Sequence, residues 1–221
     1  MFLYELHCHT AEGSRCATVG GAELAEIYAS KNYTGIAVTD HFYGGNTAID
    51  RNLEWNLWVD GFLKGYCCAK EAGETLGLKV FLGWEFYFDG TELLTYGLGE
   101  EWLRNHSELR EIGLNDYCNL VRNDGGILVH AHPFRRRVHN KIIQLLPGMV
   151  HGVETANKTN EPQENYLAVQ YAENYGLMML GGTDFHHHNH IKRLGGVAMP
   201  YKIEKINEIF EAASNEELKV L

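Results

Sequence analysis

Two histidines near the start of the chain, His7 and His9, are separated by one residue and follow an apolar run, Phe2-Leu3-Tyr4. On an extended chain, side chains two residues apart point to the same face. Two neutral imidazoles at one point are good ligands for a borderline transition metal. A surface pair or a purification-tag remnant is the alternative, but neither fits a pair directly behind an apolar strand. The spacing therefore predicts a metal site at the end of the first strand.

More ionisable residues follow later apolar runs in the same way. They are His41, Glu85, His132, Asp184 and His186. If the apolar runs are parallel strands of a barrel, their ends converge on one face, where active sites of such barrels are built. Imidazoles with carboxylates suit zinc, manganese or iron better than calcium or magnesium. Seven or more ligands with a bridging carboxylate predict a centre that holds at least two ions.

The elements needed to position these residues can be predicted from hydrophobic spacing. Strands are expected over 35–38, 78–83, 126–129, 149–154, 177–180 and 195–199, and helices over 21–28, 53–76, 115–122, 164–175 and 203–213. Residues 86–97 are predicted to form a hairpin that turns at Asp89-Gly90. The aromatic side chains of the 53–76 helix are expected in the core. Strand and helix alternate about seven times without a linker, which is typical of a parallel α/β fold.

Length, composition and charge restrict the class of protein. A chain of 221 residues suits one barrel domain over 1–221, and a net charge of −10 disfavours a nucleic-acid surface, which needs a basic patch. No stretch approaches the roughly 18 apolar residues of a membrane span, and the first ten residues leave no room for the apolar core of a signal peptide. Five cysteines without zinc-finger spacing predict reduced thiols in the cytoplasm, with Cys8 in the core.

Together, the ordered motifs His-x-His, Thr-Asp-His, a lone Glu after a strand, His-Pro and Asp-x-His resemble the PHP (polymerase and histidinol phosphatase) domain. The resemblance covers nearly the whole chain and implies a distorted (β/α)7 TIM-like barrel with two or three divalent transition metals, used mostly for phosphoester hydrolysis. It implies three groups of ligands: His7 and His9 with Asp184; Glu85 as a bridge to His132; and His41 with His186.

The sequence departs from this family pattern at two places. Many relatives have a further histidine shortly after the His-x-His pair, where this chain reads Ser14-Arg15-Cys16. Many relatives also have a histidine on the strand after the bridging glutamate, where this chain has Glu92. We expect the Glu92 carboxylate to replace that histidine as a metal ligand. The first departure leaves the third metal site open.

Basic residues near the motifs are candidates for binding a substrate phosphate. Arg135, in the run Phe134-Arg135-Arg136-Arg137, follows the His-Pro motif and is predicted to hold the phosphate bidentately. Arg15 is a second candidate, and a solvated loop is the alternative for both. Arg135, His41 and His186 are the predicted catalytic residues.

Several polar residues near the motifs have open roles. Asp40 is predicted to cap a turn or to support a ligand imidazole by a hydrogen bond. The others are His130, Glu154, Asn157, His187, His188 and His190.

The predicted function is metal-dependent hydrolysis of a small phosphomonoester, similar to histidinol phosphate, since no basic groove suggests a polymer. A nuclease or nucleotide phosphoesterase of the same chemistry is the first alternative. A module that binds metal without turnover is the second, favoured by the missing histidine near Arg15. Amidohydrolase-type C–N hydrolysis is the third; it predicts a carbamylated lysine at a strand end, whereas Lys79 begins a strand.

Overall fold

The computed structural model describes residues 1–136 and 142–221, so Arg137 and His139 lie outside the described residues. Nine strands form one sheet: β1 (Phe2–Cys8), β2 (Tyr33–Val38), β3 (Lys79–Phe88), β4 (Thr91–Tyr96), β5 (Ile127–His130), β6 (Gly152–Asn157), β7 (Met178–Gly182), β8 (Val197–Met199) and β9 (Lys219–Val220). Six α-helices are described: α1 (Gly21–Ser30), α2 (Trp55–Leu76), α3 (Glu100–Asn105), α4 (Leu114–Asn123), α5 (Pro162–Tyr175) and α6 (Asn207–Ser214). Two short 3₁₀ turns span Ser107–Arg110 and His188–Arg193.

The sheet runs in the order β7-β6-β5-β4-β3-β2-β1-β8-β9 and curls into a barrel. Closure occurs where the chain after β7 meets the end of β1, at a parallel bridge between Cys8 and Phe185. The carbonyl of His7 accepts the N–H of Asp184 at 2.8 Å, and the N–H of His9 donates to the carbonyl of Phe185 at 3.0 Å. The first and last predicted metal motifs are therefore joined by backbone hydrogen bonds.

The predicted hairpin is confirmed, and it makes the barrel less regular than seven strand–helix units. Asp89 and Gly90 both have positive φ, 44° and 87°, as a tight two-residue turn requires. Strand β4 is consequently antiparallel to both β3 and β5, while β1–β2, β2–β3, β5–β6 and β6–β7 pair in parallel. Strands β8 and β9 add antiparallel pairs beside β1, which brings the sheet to nine strands.

The predicted helices lie close to their expected positions. Helix α2 packs Trp58 and Phe62 against Phe42, whose ring lies 5.2 Å from that of Trp58, so its aromatics are core as predicted. Helix α5 starts earlier than expected because Pro162 occupies its first turn and Glu161 and Glu164 form a capping box. Helix α6 begins at Asn207 rather than at residue 203. None of the helices among the described residues has both the length and the apolar character needed to cross a membrane.

Candidate metal centre

His7, His9 and Asp184, which we call the inner group, converge where the barrel closes. His7 and His9 share a face at the end of β1, as alternation predicts, with Nε2 atoms 3.1 Å apart. Asp184 follows β7, and its Oδ1 lies 3.1 Å from His9 Nε2 and 3.5 Å from His7 Nε2. Ligands about 2.0–2.1 Å from one tetrahedral ion are roughly 3.3 Å from each other. The three donor atoms therefore fit a single ion.

Glu85 lies between this group and the other ligand candidates. It is within β3 rather than after it, because β3 continues into the hairpin with β4. Its Oε1 is 3.3 Å from His7 Nε2 and 3.1 Å from His132 Nε2. Its Oε2 is 2.6 Å from His41 Nδ1. One carboxylate thus faces three imidazoles from three strand ends, which is the position of a bridging ligand.

Two buried atoms at this point indicate that a cation fits. His41 Nδ1 and Glu85 Oε2 are adjacent, yet neither has a hydrogen bond of acceptable geometry. An unsatisfied buried polar atom costs about 1–3 kcal/mol, and one cation bound by both atoms would satisfy the two together. An imidazole nitrogen and a carboxylate oxygen are ligands that zinc, manganese and iron all accept.

Glu92 is placed beside the same cluster by the antiparallel strand β4. Its Oε2 lies 3.6 Å from His132 Nε2, and it forms a possible ligand group with His41 and Glu85. The carbonyl of Glu92 also accepts the N–H of Ala131 at 3.0 Å, which aligns β4 with the segment that carries His132. The structure thus brings Glu92 to the position at which we expected it to replace a histidine.

His41, His186 and Cys16, which we call the outer group, lie on the other side of His9. The Sγ atom of Cys16 is 3.2 Å from His41 Nε2, and although burial opposes it, the His186 and His41 rings beside the thiol lower its pKa to about 6. The rings of His41 and His186 pack against His9, with centroids 4.4 and 4.2 Å away. Arg15 is exposed, so the residue of this loop that faces the outer histidines is Cys16. Sequence reasoning missed this role of Cys16.

Buried polar side chains hold the two imidazoles of the His-x-His pair from behind. Glu154 Oε1 accepts a hydrogen bond from His7 Nδ1 at 2.9 Å, and its Oε2 accepts from Asn157 at 2.9 Å. Ser14 Oγ lies 3.2 Å from His9 Nδ1. Engaging the Nδ1 atoms leaves both Nε2 atoms for a metal, the usual arrangement around ligating histidines. The role of Glu154, open from sequence, is therefore to orient His7.

Asp40 supports the loop after the His-x-His pair rather than a ligand imidazole. It accepts the N–H and hydroxyl of Thr10 at 2.7 and 2.6 Å and the hydroxyl of Ser14 at 2.8 Å. Since Ser14 donates to Asp40, its oxygen is left to accept from His9 Nδ1 and from the N–H of His41. Asp40 acts on His9 through this serine. Burial raises the pKa of Asp40 to about 6.

Arg135 points into the centre, but protein groups already hold its guanidinium. One terminal nitrogen donates to Asp184 Oδ2, the other donates to Thr159 Oγ1 at 2.6 Å, and Nε donates to Asn160 Oδ1 at 2.8 Å. Three of the five N–H donors of the arginine are thus engaged, which leaves two. Arg136 is exposed, with its backbone N–H on Glu164.

The charges of the centre favour a bound cation. Burial raises the pKa of Asp184, but His7 and Arg135 hold it well below its usual value. Glu85 likewise has a pKa well below its usual value despite burial, because of His41 and His132. Burial and the neighbouring imidazoles lower the pKa of His9 well below its usual value. Although burial opposes it, Glu154 raises the pKa of His7 and Glu85 raises that of His41 well above the usual value, so a metal that binds these imidazoles would displace their protons.

Two of the candidate ligands have strained backbones. His132, just before Pro133, has φ 28°, and Asp184 has φ 57°. Positive φ is uncommon outside glycine and costs of order 1–3 kcal/mol where it is not relieved. Such strain concentrates at functional sites.

The remaining histidines near the motifs lie outside these groups. His130 is buried beside Tyr171, and burial together with His132 lowers its pKa to about 3. His190 accepts the N–H of His186 at 3.1 Å, while His187 contacts Thr18 and His188 contacts Glu23 on the surface. These contacts agree with supporting or solvent-facing positions.

Similar proteins were found by structure but not by sequence. No protein-family model matches the chain, and no curated protein does. A candidate metal-dependent phosphoesterase from Bifidobacterium adolescentis has a TM-score of 0.62 and 16% identity over 94% of each chain. A two-domain protein from Bacteroides vulgatus, containing a predicted PHP-like metal-dependent phosphoesterase, has a TM-score of 0.70 and 18% identity. That match covers 100% of this chain and 64% of the other, so the chain spans less than two thirds of that protein.

A third similar structure is an amidohydrolase from Chromobacterium violaceum with bound sulfate and no metal. It has a TM-score of 0.58 and 15% identity, over 98% of this chain and 97% of that one. At such identities the likeness concerns the fold. The chain therefore has the PHP-like barrel fold that its five motifs predicted.

Proposed function

We propose that the protein is a metal-dependent hydrolase of phosphoesters. The observation that carries the proposal is the convergence of imidazoles and carboxylates from six chain segments on the closing point of one barrel. Candidate ligand groups overlap through His7, His9, His41 and Glu85, as a multinuclear centre requires. The PHP-like fold of the similar structures supports the same chemistry.

The chain's own residues divide into holding and orienting roles. The inner group would hold one ion, and Glu85 would bridge to a second ion that His132 and Glu92 complete. Zinc, manganese and iron all suit these donors. Bound divalent ions supply an activated water and charge neutralisation at phosphorus. Glu154 and Ser14 orient His7 and His9, and Asp184 fixes Arg135 beside them.

We assign Arg135 to the substrate phosphate through its two remaining N–H donors. Asp184, Asn160 and Thr159 hold its other three donors, so the guanidinium is oriented before a substrate arrives. An arginine held in this way loses less entropy on binding an oxyanion. Arg15 is exposed beside Cys16, and its part in phosphate binding stays a prediction.

A small phosphomonoester is the substrate class that we favour. A cavity of about 120 Å³ adjoins the centre and is lined by Glu92, His130, His132, Arg135 and neighbouring residues. This volume suits a compact polar group. The net charge of −10 gives no attraction for a polyanion such as a nucleic acid. A nucleotide phosphoesterase remains the alternative within the same chemistry.

The arrangement of Lys79 argues against C–N hydrolysis with a carbamylated lysine. Lys79 lies at the start of β3, half-exposed, and pairs with Glu204 at 2.6 Å. We assign the bridging position to Glu85, which lies between His7 and His41.

The test is a phosphoester panel on protein reloaded with Zn²⁺, Mn²⁺ or Fe²⁺, with metal content measured on the same samples. We expect turnover of a small phosphomonoester, and a loss of at least about 10²-fold in His9→Ala and Asp184→Ala. His188→Ala is the matched control, because His188 is exposed and pairs with Glu23 outside the centre. Unchanged turnover in both ligand variants would contradict the proposal. Full metal loading without turnover of any phosphoester would favour a binding module.

A further inference from the structure

Cys16 is fixed between two histidines by the loop that carries it. The N–H of Arg15 donates to the carbonyl of Asn46 at 3.0 Å, and the N–H of Thr18 donates to the carbonyl of His186 at 2.9 Å. These bonds anchor the loop on both sides of the cysteine. The Sγ atom lies 3.2 Å from His41 Nε2, and the His186 ring is near enough to act on the thiol. Backbone hydrogen bonds on both sides of Cys16 therefore fix the position of its thiol.

Both imidazoles present a nitrogen to the thiol. His186 Nδ1 lies 2.9 Å from the carbonyl of Asp184, where its N–H donates, so Nε2 is the ring nitrogen with a lone pair for a metal. His41 is more than nine-tenths buried, and its Nδ1, which has no hydrogen bond, faces Glu85. His41 Nε2 is thus left for the side on which Cys16 lies. Together the three side chains offer one sulfur and two nitrogen donors.

We propose that Cys16, as a thiolate, completes a metal site with His41 and His186, and that this sulfur donor makes the outer group prefer zinc over manganese. Thiolates are soft ligands that select zinc, whereas manganese favours oxygen donors. The thiol gives up its proton to solvent when the metal binds. The inference rests on the metal centre of the proposed function but not on the hydrolysis of any ester.

This assignment explains why the loop tolerates Arg15. Many relatives of the PHP pattern have a histidine near this position, and that histidine would be a ligand of the outer site. In this chain the next residue supplies the donor, and the arginine side chain is exposed. A thiolate replaces an imidazole without loss of a ligand.

The first test uses Co²⁺ as a spectroscopic substitute for zinc in metal-stripped, reloaded protein. We expect a thiolate-to-Co²⁺ charge-transfer absorption in wild type and in Cys67→Ser, whose cysteine is exposed on α2. Cys16→Ser should lose this absorption and about one equivalent of zinc per chain. Cys16→His should regain the zinc but not the absorption. Absorption or full zinc content in Cys16→Ser would overturn the proposal.

The second test needs no variant and so does not depend on folding. Iodoacetamide alkylation of the wild-type protein is followed at each cysteine by peptide mass spectrometry, with and without Zn²⁺. We expect zinc to slow alkylation of Cys16 by at least about tenfold, since a bound thiolate is a poorer nucleophile, and to leave Cys67 unchanged. Equal rates at Cys16 would overturn the proposal and favour a reactive thiolate.

The proposed phosphoester hydrolysis and the proposed Cys16 metal site can be rejected independently of each other. A wild-type protein with the charge-transfer absorption but no turnover of any phosphoester keeps the Cys16 site and rejects the proposed function. A protein that hydrolyses a phosphoester, with the same zinc content in Cys16→Ser, keeps the function and rejects the Cys16 site.

Discussion

The inner and outer groups of the centre meet at His9, which belongs to the inner group, but they are built from different parts of the fold. In the inner group His7 and His9 are fully buried, and backbone hydrogen bonds between His7 and Asp184 close the barrel. In the outer group the side chains of His41 and His186 are 9% and 13% exposed, and Cys16 comes from a loop. The donors of the inner group are therefore positioned by the sheet itself, whereas Cys16 of the outer group is positioned by its loop.

The donor chemistry of the two groups differs as well. The inner group combines two imidazoles with a carboxylate, backed by Glu154. The outer group combines two imidazoles with a thiol. The inner donors accept several metals, whereas the outer donors favour zinc. We therefore expect the two groups to differ in metal identity and in the rate of metal loss.

The largest effect is expected for Glu85→Gln, because this carboxylate faces His7, His132 and His41 together. We expect loss of at least one metal equivalent and a fall in kcat/KM of at least about 10²-fold. Metal analysis and steady-state kinetics measure both. Glu74→Gln, at an exposed position of α2, is the control. Wild-type metal content in Glu85→Gln would show that the carboxylate does not bridge.

A smaller and selective effect is expected for Glu154→Gln. The change removes the charge behind His7 while keeping the side-chain size, so metal affinity of the inner group should fall about 10–100-fold. The outer group should keep its Co²⁺ charge-transfer absorption, since Glu154 does not contact it. Competition with a chelator measures the affinity. An equal fall in the metal affinity of the outer group would contradict the separation of the two groups.

Metal removal from wild type should proceed in two phases. Chelator reaches the partly exposed outer group more easily than the enclosed inner group. We expect the charge-transfer absorption of the Co²⁺ protein to disappear in the faster phase. If the absorption persisted until the last metal left, the outer group would lose its metal after the inner group, contrary to this prediction. Samples withdrawn during chelation and analysed for metal content give the stoichiometry of each phase.

The smallest effect is expected for Gly13→Ala, which acts on the loop alone. A Cβ at Gly13 would lie 2.3 Å from Asp40 Cγ, so the loop that carries Ser14 and Cys16 must shift. We expect destabilisation of about 1–3 kcal/mol and a lower Tm. Gly113→Ala is the control, because a Cβ there meets nothing within 4 Å. Equal Tm values for the two variants would show that the loop adapts without cost.

Much of the fold was predictable from local patterns. The run behind His7 and His9 predicted a strand and a shared face, and Asp89-Gly90 predicted the hairpin. Such predictions work because side-chain alternation and turn geometry depend on a few neighbouring residues. The strand count was less predictable: the strand expected over 195–199 forms as the three-residue β8, whereas β9 is only two residues long and too short to show a periodic pattern.

By itself, the sequence determined which residue types end the strands, and hence that imidazoles and carboxylates meet on one face. Only the tertiary structure decided which partners stand behind them. Glu154 is 147 residues from His7, and Arg135 reaches Asp184 from 49 residues away. It also decided that Cys16 rather than Arg15 faces His41. The physical reason is that barrel closure and loop anchoring set these contacts, and neither depends on local sequence spacing.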